Sequence, residues 1–569
     1  MEKPSDKQTC KTSEIEEVRQ RWESQTLEGS LDKTPARKTE FTTWSGLPIK
    51  PIYTPADTKN LDYVRDIGFP GEYPFTRGPH PAMFRTRLWQ IRQQTGVNTA
   101  EATAALKQCH TEGGMTAPTH IFDYTTRSGF ASDDPAVEGF VGHSGVVAEY
   151  LPDFVVLWGS IPLDKEHVML NNSCIAHIQV SGLVAAVEHQ GTAPEKVKVT
   201  VQNDSLSSYV TEYDSRFAPE HHLRLTVDCI EYLIRHFPRA NVMNVFGTNY
   251  PQAGSNAFQE VAFSFSCAIE IIEAVLKRGY HIDDFAPRIT AQWSSSPDFF
   301  EEIAKHRAAR RAWAKLMKER FHAQNPMSWC LKSYVLTSGR SLTTQQPMNN
   351  ITRTALQTLS AVLGGSTAIE ATPYGEGITL AATGDEVEVA LRSQQIIAYE
   401  TGVSDVVDPL GGSWYVEYLT DALEEKIWDY INKVDEMGGA IAAIKNGFFV
   451  GEMRKEIFRD KQLRDQGERI SVGVNMFERK DEQVQLEAFE PDGELLRQHK
   501  DKIARMKQER DNGKLEEILA RLRKAAAGSE NIMPTTLEAV KAYATVAEIT
   551  NALGDVFGFE DQRNARPVC

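Results

Sequence analysis

No run of apolar residues approaches the roughly 20 that a membrane-spanning helix requires, and the N-terminus, MEKPSDKQTCKTSEIEE, has no hydrophobic stretch to act as a secretory signal. Cysteine is sparse, with seven in 569 residues, scattered and never spaced C-x-x-C. That pattern suits reduced thiols in a cytoplasm and disfavours a disulfide framework or a zinc site. The common catalytic signatures are missing too. There is no G-x-x-x-x-G-K-[ST] phosphate loop, no G-x-G-x-x-G after a strand, no H-E-x-x-H and no G-x-S-x-G elbow. His221-His222 has no third ligand at useful spacing, so no metal site is expected. Positive charge is in deficit as well: 62 Lys and Arg against 78 Asp and Glu give a formal net charge of −16. Such a balance argues against general nucleic-acid binding, and an anionic ligand must be met by a local basic patch.

One segment answers that description. Thr76 to Gly96, TRGPHPAMFRTRLWQIRQQTG, carries Arg77, Arg85, Arg87 and Arg92 and no acid. The rest of the chain, 41% hydrophobic and 25% charged, reads as a soluble globular protein of two to four domains, or a barrel with a long appendage. Residues 1–70 are polar and then punctuated by Pro and Gly, which fits either an arm that wraps a partner or a partly disordered tail. From about residue 117 short β-branched runs alternate with amphipathic stretches. Strands are expected at THIFD (119–123), HVMLN (167–171), KVTVQN (198–203), VMNVFG (242–247), RITAQ (288–292), SYVLT (333–337), TAIEA (367–371) and SDVVD (404–408). Helical spacing lies between them, most clearly over 257–279 and 299–322. Eight strands separated by helices predict an α/β fold, a (β/α)8 TIM barrel over residues 71–425. Residues 426–569 are expected to form a helical C-terminal region, with helices over 493–526 and 535–558 that offer a packing or partner surface. Polar residues recur at the strand ends, at Gln202-Asn203-Asp204, Thr248-Asn249-Tyr250, Gln292 and Thr337-Ser338. They suggest a ligand-lined mouth at the C-terminal face, although Asp204 and Ser338 also suit helix caps. No nucleophile stands out, and an enzyme with few ionisable catalytic groups often leaves the difficult step to a cofactor.

Several blocks carry a family likeness. PFTRGPHPAMF…LWQIRQ (74–93), FDYTTRSGFASDDP (122–135), IPLDK (161–165), VQND (201–204), FAPRIT (285–290), LTSGRSLTTQQPMNN (336–350) and DPLGGSWYVEYLT (408–420) resemble the barrel of methylmalonyl-CoA mutase and related adenosylcobalamin-dependent acyl-CoA mutases, collinearly from about residue 70. The resemblance implies a barrel threaded by the pantetheine arm of CoA. It also implies adenosylcobalamin on a flavodoxin-like domain with a D-x-H-x-x-G motif. No such motif occurs here. The chain is therefore expected to be a large subunit whose small partner carries the cobalamin, in a heterotetramer or other hetero-oligomer, as in 2-hydroxyisobutyryl-CoA mutases. The implied reaction is a radical carbon-skeleton isomerisation in which the thioester group migrates between adjacent carbons. Within this class the alternative is a 2-hydroxyisobutyryl-CoA-like or isobutyryl-CoA-like mutase large subunit, and a non-catalytic CoA-binding or assembly subunit is the alternative from another class.

By position, the resemblance places Arg87, Arg92 and Arg288 at the CoA phosphates, with His80, Met83, Thr119 and Thr290 nearby. Guanidinium forks suit that task because they bind phosphate bidentately and stay charged. Arg85 is expected to be exposed, and Arg77 to be a turn residue held by Gly78-Pro79. Gln202 is implied near the thioester carbonyl, Glu376 as an acceptor for the ribose hydroxyls of the adenosyl group, and Gln252 beside the cofactor. Departures from the family pattern are equally informative. Glu212 falls where methylmalonyl-CoA mutases have an arginine for the substrate carboxylate, so succinyl-CoA and methylmalonyl-CoA are unexpected substrates. Gln94 replaces a tyrosine that helps confine the radical, and Asn249 replaces a histidine that contacts the thioester oxygen. Ile121 falls where hydroxyacyl mutases have an aspartate. Glu212 and Gln94 are the expected groups for a hydroxyl or amine on the acyl chain.

Overall fold

The computed structural model describes residues 4–171, 174–212, 215–376, 384–479 and 489–560, with the side chains of residues 4–11 left aside. Eight strands are present: β1 (Gln90–Thr95), β2 (Ala117–Ile121), β3 (His167–Asn171), β4 (Lys198–Gln202), β5 (Met243–Phe246), β6 (Ile289–Ser295), β7 (Lys332–Thr337) and β8 (Ala368–Glu370). They form one sheet in the order β4-β3-β2-β1-β8-β7-β6-β5, and every neighbouring pair is parallel. The sheet closes between β4 and β5 through a parallel bridge from Thr200 to Asn241, where Asn241 N–H donates to Val199 O at 2.7 Å. Helices follow the strands and cover the outside, so the chain is a (β/α)8 TIM barrel.

Seven of the expected strands are present. The eighth, SDVVD, is not a strand: residues 404–408 lie in turns, and Asp408 has φ of +49°. Its carboxylate accepts from Arg77 at 3.1 Å and from the buried Arg307, which also pairs with Glu417 at 2.5 Å. Arg77 further donates to the Tyr63 hydroxyl at 3.0 Å, so it anchors this turn rather than standing as a simple turn residue. The missing strand is β1, QIRQQT, whose polar sequence hides it because one face lines a cavity instead of an apolar core.

Helix Ala257–Lys277 is buried along most of its length and packs on helix Trp414–Glu436. The expected helix over 299–322 starts at Phe299, capped by the Asp298 carboxylate accepting from Glu301 N–H. Each of the two expected C-terminal helices is instead a pair. Asp511 caps a fresh start at Asn512, and Thr545 with Glu548 forms a reciprocal cap that restarts the chain at Val546. These helices join the barrel's core: Leu522, Val540 and Leu553 belong to the same apolar cluster as Trp89 and Val335. Arg224 of the barrel donates to the carbonyls of Ala525, Ala526, Gly528 and Glu530 and so satisfies a helix end that would otherwise be bare. At the other terminus, Trp44 N–H donates to Asp298 and Ser45 N–H to Glu301, pinning that segment to a barrel helix. No helix among the described residues is long and apolar enough to cross a membrane.

Candidate active site: a polar bore through the barrel

A cavity of about 640 Å³ opens at the N-terminal rim of the strands. Gln90, His167, Lys332 and Ala368, each the first residue of its strand, line it, with Arg92 and Thr290 one pleat or less further in. His80, Met83 and Arg87 come from the segment before β1, and Phe84 meets Trp89 edge-on at 5.1 Å to form an apolar lip. The lining holds three permanent cations, Arg87, Arg92 and Lys332, and no acid. None of the three makes an ion pair among the described residues. In a chain of net charge −16 that concentration marks an anion site. The cationic field shows in the histidines. His80 is held below the usual range by burial, then by Lys332 and Arg87, and His167 is pushed down to about 3 by burial with Arg92 and Lys332 adding to it.

Arg92 is 2% exposed. It donates to Thr119 Oγ1 at 3.1 Å and Gln90 Oε1 at 2.8 Å and lies over the Tyr334 ring at 5.6 Å, while its Nε has no hydrogen-bond partner among the described residues. Thr119 meets Arg92 without lining the cavity itself, whereas Thr290 lines it and accepts from Asn244 at 2.9 Å. Arg288 is not: it donates to the carbonyls of Phe237 and Asp284 beneath β6 and is absent from the lining. Arg85 is exposed.

Side chains alternate along a strand, so the residue two beyond each cavity-lining position shares its face. Gln94, Asn171, Gln202, Gln292 and Glu370 therefore point inward above the cavity, and Ile121 follows Thr119 onto the same face. Five of these six are polar, where a barrel without a ligand is filled with branched apolar side chains. Asn171 Oδ1, Gln292 Oε1 and Glu370 Oε1 are buried without hydrogen-bond partners among the described residues. Each such orphan costs roughly 1–3 kcal/mol, which a polar ligand in the bore would relieve.

Glu212 lies past the C-terminal end of β4, where one carboxylate oxygen accepts from Arg127 at 3.1 Å and from Asn249 at 2.9 Å, and the other from Ser208. Two of the residues picked out from sequence are thereby joined, and the partner that neutralises Glu212, Arg127, was not foreseen. His167, Lys332, Tyr334, Asn171 and Glu370 were also missed. Only the polar first residues of β3 and β7 hinted at any of them.

The methylmalonyl-CoA mutase family model matches residues 42–559. The chain belongs to this family. It is 39% identical over 549 residues to the 2-hydroxyisobutanoyl-CoA mutase large subunit of Aquincola tertiaricarbonis, covering 96% of this chain and 97% of that one. Methylmalonyl-CoA mutase of Rhizobium meliloti is 36% identical over 516 residues, covering 90% and 72%, and the human mitochondrial enzyme is 35% identical over 527 residues, covering 92% and 69%. Family members are isomerases that use adenosylcobalamin.

The C-terminal face suits the nucleoside side of that cofactor. Glu376, just past β8, makes no side-chain hydrogen bond among the described residues, and burial followed by the nearby Glu386 pushes its carboxyl up to about 7. The Thr248 hydroxyl is likewise buried and unpartnered. Gln252 is exposed there and accepts from Arg340 N–H at 3.1 Å. Sugar hydroxyls match such groups, whereas no cluster of His, Cys, Asp or Glu among the described residues is arranged to hold a metal ion.

Proposed function

We propose that this chain is the acyl-CoA-binding subunit of an adenosylcobalamin-dependent acyl-CoA mutase, with the cobalamin on a separate small subunit in a hetero-oligomer. One observation carries this: an acid-free cavity with three cations that make no ion pair among the described residues lies below an inner face of polar groups left unsatisfied among those residues. Arg87, Arg92 and Lys332 would hold the CoA phosphates at the rim. Gln202 and Asn249 would take the thioester oxygen as neutral hydrogen-bond partners, and Gln94 would stand beside the acyl group. Adenosylcobalamin, when bound, supplies the radical chemistry by which a substrate hydrogen is removed and returned. The chain's own part is to bind the ester, align it and exclude water. Glu376 and Gln252 would meet the adenosyl group. The separate small subunit is supported by the likeness, over nearly its whole length, to a protein named a large subunit. Cys109, Cys229, Cys267 and Cys330, which form no disulfide among the described residues, suit a cytoplasmic setting.

Methylmalonyl-CoA and succinyl-CoA are poor candidates, because Arg127 and Glu212 neutralise each other and leave no net charge to receive a free carboxylate. The test is turnover. The chain is mixed with a cobalamin-carrying small subunit, adenosylcobalamin and a panel of CoA esters, and products are separated by chromatography and mass spectrometry. An isomer of unchanged mass supports the proposal. Binding of esters without any isomerisation would make the chain a CoA-binding assembly subunit instead.

A further inference from the structure

The eight strands carry a single acid, Glu370, at the end of β8. Its side chain is fully buried and shares the inner face of the bore with Ala368, which lines the cavity below it. Tyr334, itself a cavity-lining residue on β7, donates its hydroxyl to Glu370 Oε2. That bond leaves Oε1 directed elsewhere, and Oε1 is buried without a partner among the described residues. Tyr334 is in turn held beneath the Arg92 guanidinium at 5.6 Å. A carboxyl on the inner face, oriented by a phenol that touches the cavity and keeping one oxygen unused, has the form of a recognition group rather than a core filler.

We propose that Glu370, positioned by Tyr334, is the specificity-determining residue of the acyl site and that its Oε1 meets a hydroxyl on the acyl chain of the CoA ester. This rests on the mutase function proposed above. Burial pushes the Glu370 carboxyl up to about 8, with the Tyr334 hydrogen bond acting against it, the charge of Glu376 adding to it, and the charge of Arg92 and the backbone N–H of Gln94 opposing it. At neutral pH it is therefore protonated, with both a donor and an acceptor to offer, and a hydroxyl is the substituent that answers both. An ammonium would gain nothing from the neutral carboxyl and would stand near Arg92, and a carboxylate would gain nothing from it and would stand near Glu376. Leaving such a group unanswered is costly, so the site discriminates against an ester that lacks the hydroxyl.

Matched CoA esters test this by isothermal titration calorimetry on the full chain. One pair is 2-hydroxyisobutyryl-CoA and pivaloyl-CoA, which exchanges hydroxyl for methyl, and the other is 3-hydroxybutyryl-CoA and isovaleryl-CoA. The wild-type chain is expected to bind the hydroxyl member of at least one pair about tenfold more tightly. Glu370→Leu should bring that ratio to within about twofold, and Glu370→Gln should retain most of it. Tyr334→Phe, which deletes only the orienting hydroxyl, should give an intermediate ratio and serves if the leucine variant does not fold. Equal binding of both members by the wild type, or discrimination unchanged in Glu370→Leu or Tyr334→Phe, overturns the assignment of Glu370 alone. If no CoA ester binds, the acyl-CoA function fails and this assignment falls with it.

Discussion

Arg92→Met separates a ligand-binding arginine from a structural one, because the two roles move affinity and stability in different directions. The guanidinium is 2% exposed and has no carboxylate partner among the described residues. Its fold-internal bonds run to neutral acceptors, Thr119 at 3.1 Å and Gln90 at 2.8 Å. Methionine fills much the same apolar volume without the charge. The lost hydrogen bonds are offset by relief of a buried cation without a counter-charge; even buried ion pairs can be replaced by apolar side chains at no cost or with a gain of about 1–4 kcal/mol. A phosphate held by this group loses a charge-assisted bond worth about 1.5–3 kcal/mol, or roughly 10- to 100-fold in Kd. Calorimetric titration with CoA and thermal melting, run on the same preparation, read both quantities. The account predicts weaker CoA binding with an unchanged or higher Tm. Unchanged affinity, or affinity and Tm falling together, would refute it and return Arg92 to a purely structural role.

Other consequences follow from the charge arrangement. Glu370, Glu376 and Asp204 are pushed up by burial to about 8, 7 and 6, so the unfolded chain, whose carboxyls ionise near 4, gives up these protons first. Stability from these groups falls as pH rises toward 8, and above about 6.5 no ordinary histidine opposes it, so Tm should drop between pH 6.5 and 8. Glu370→Gln should flatten that slope. Asp408→Asn removes a shared partner of the buried Arg307 and of Arg77, and should cost about 3 kcal/mol, read as a lower Tm. Glu212→Ala frees the Asn249 amide and strands Arg127, and should lower kcat about 100-fold with little change in KM in the assembled enzyme.

Much of the barrel was legible because its strands obey the usual pattern. HVMLN is β3 residue for residue, and SYVLT lies within β7. The failures came where function or charge pairing overrode propensity. QIRQQT looks nothing like a core strand, since its inner face serves the cavity, and SDVVD looks like one, yet Asp408 takes a left-handed turn to reach Arg77 and Arg307. The basic rim was visible because Arg87 and Arg92 sit close together in sequence. Glu370 and Tyr334 lie 36 residues apart, and Arg127 and Glu212 lie 85 apart, so only the closed barrel brings each pair together. Arg288 shows the converse, a residue that matched a motif but whose donors are taken by Phe237 and Asp284.

A crystal structure of this chain with an unreactive CoA thioester analogue tests the central claim most directly. The account predicts the diphosphate at Arg87 and Arg92 on the N-terminal rim, the pantetheine arm running up the bore, and the thioester oxygen within hydrogen-bond distance of Gln202 or Asn249. CoA bound outside the bore, or approaching from the C-terminal face, would contradict it.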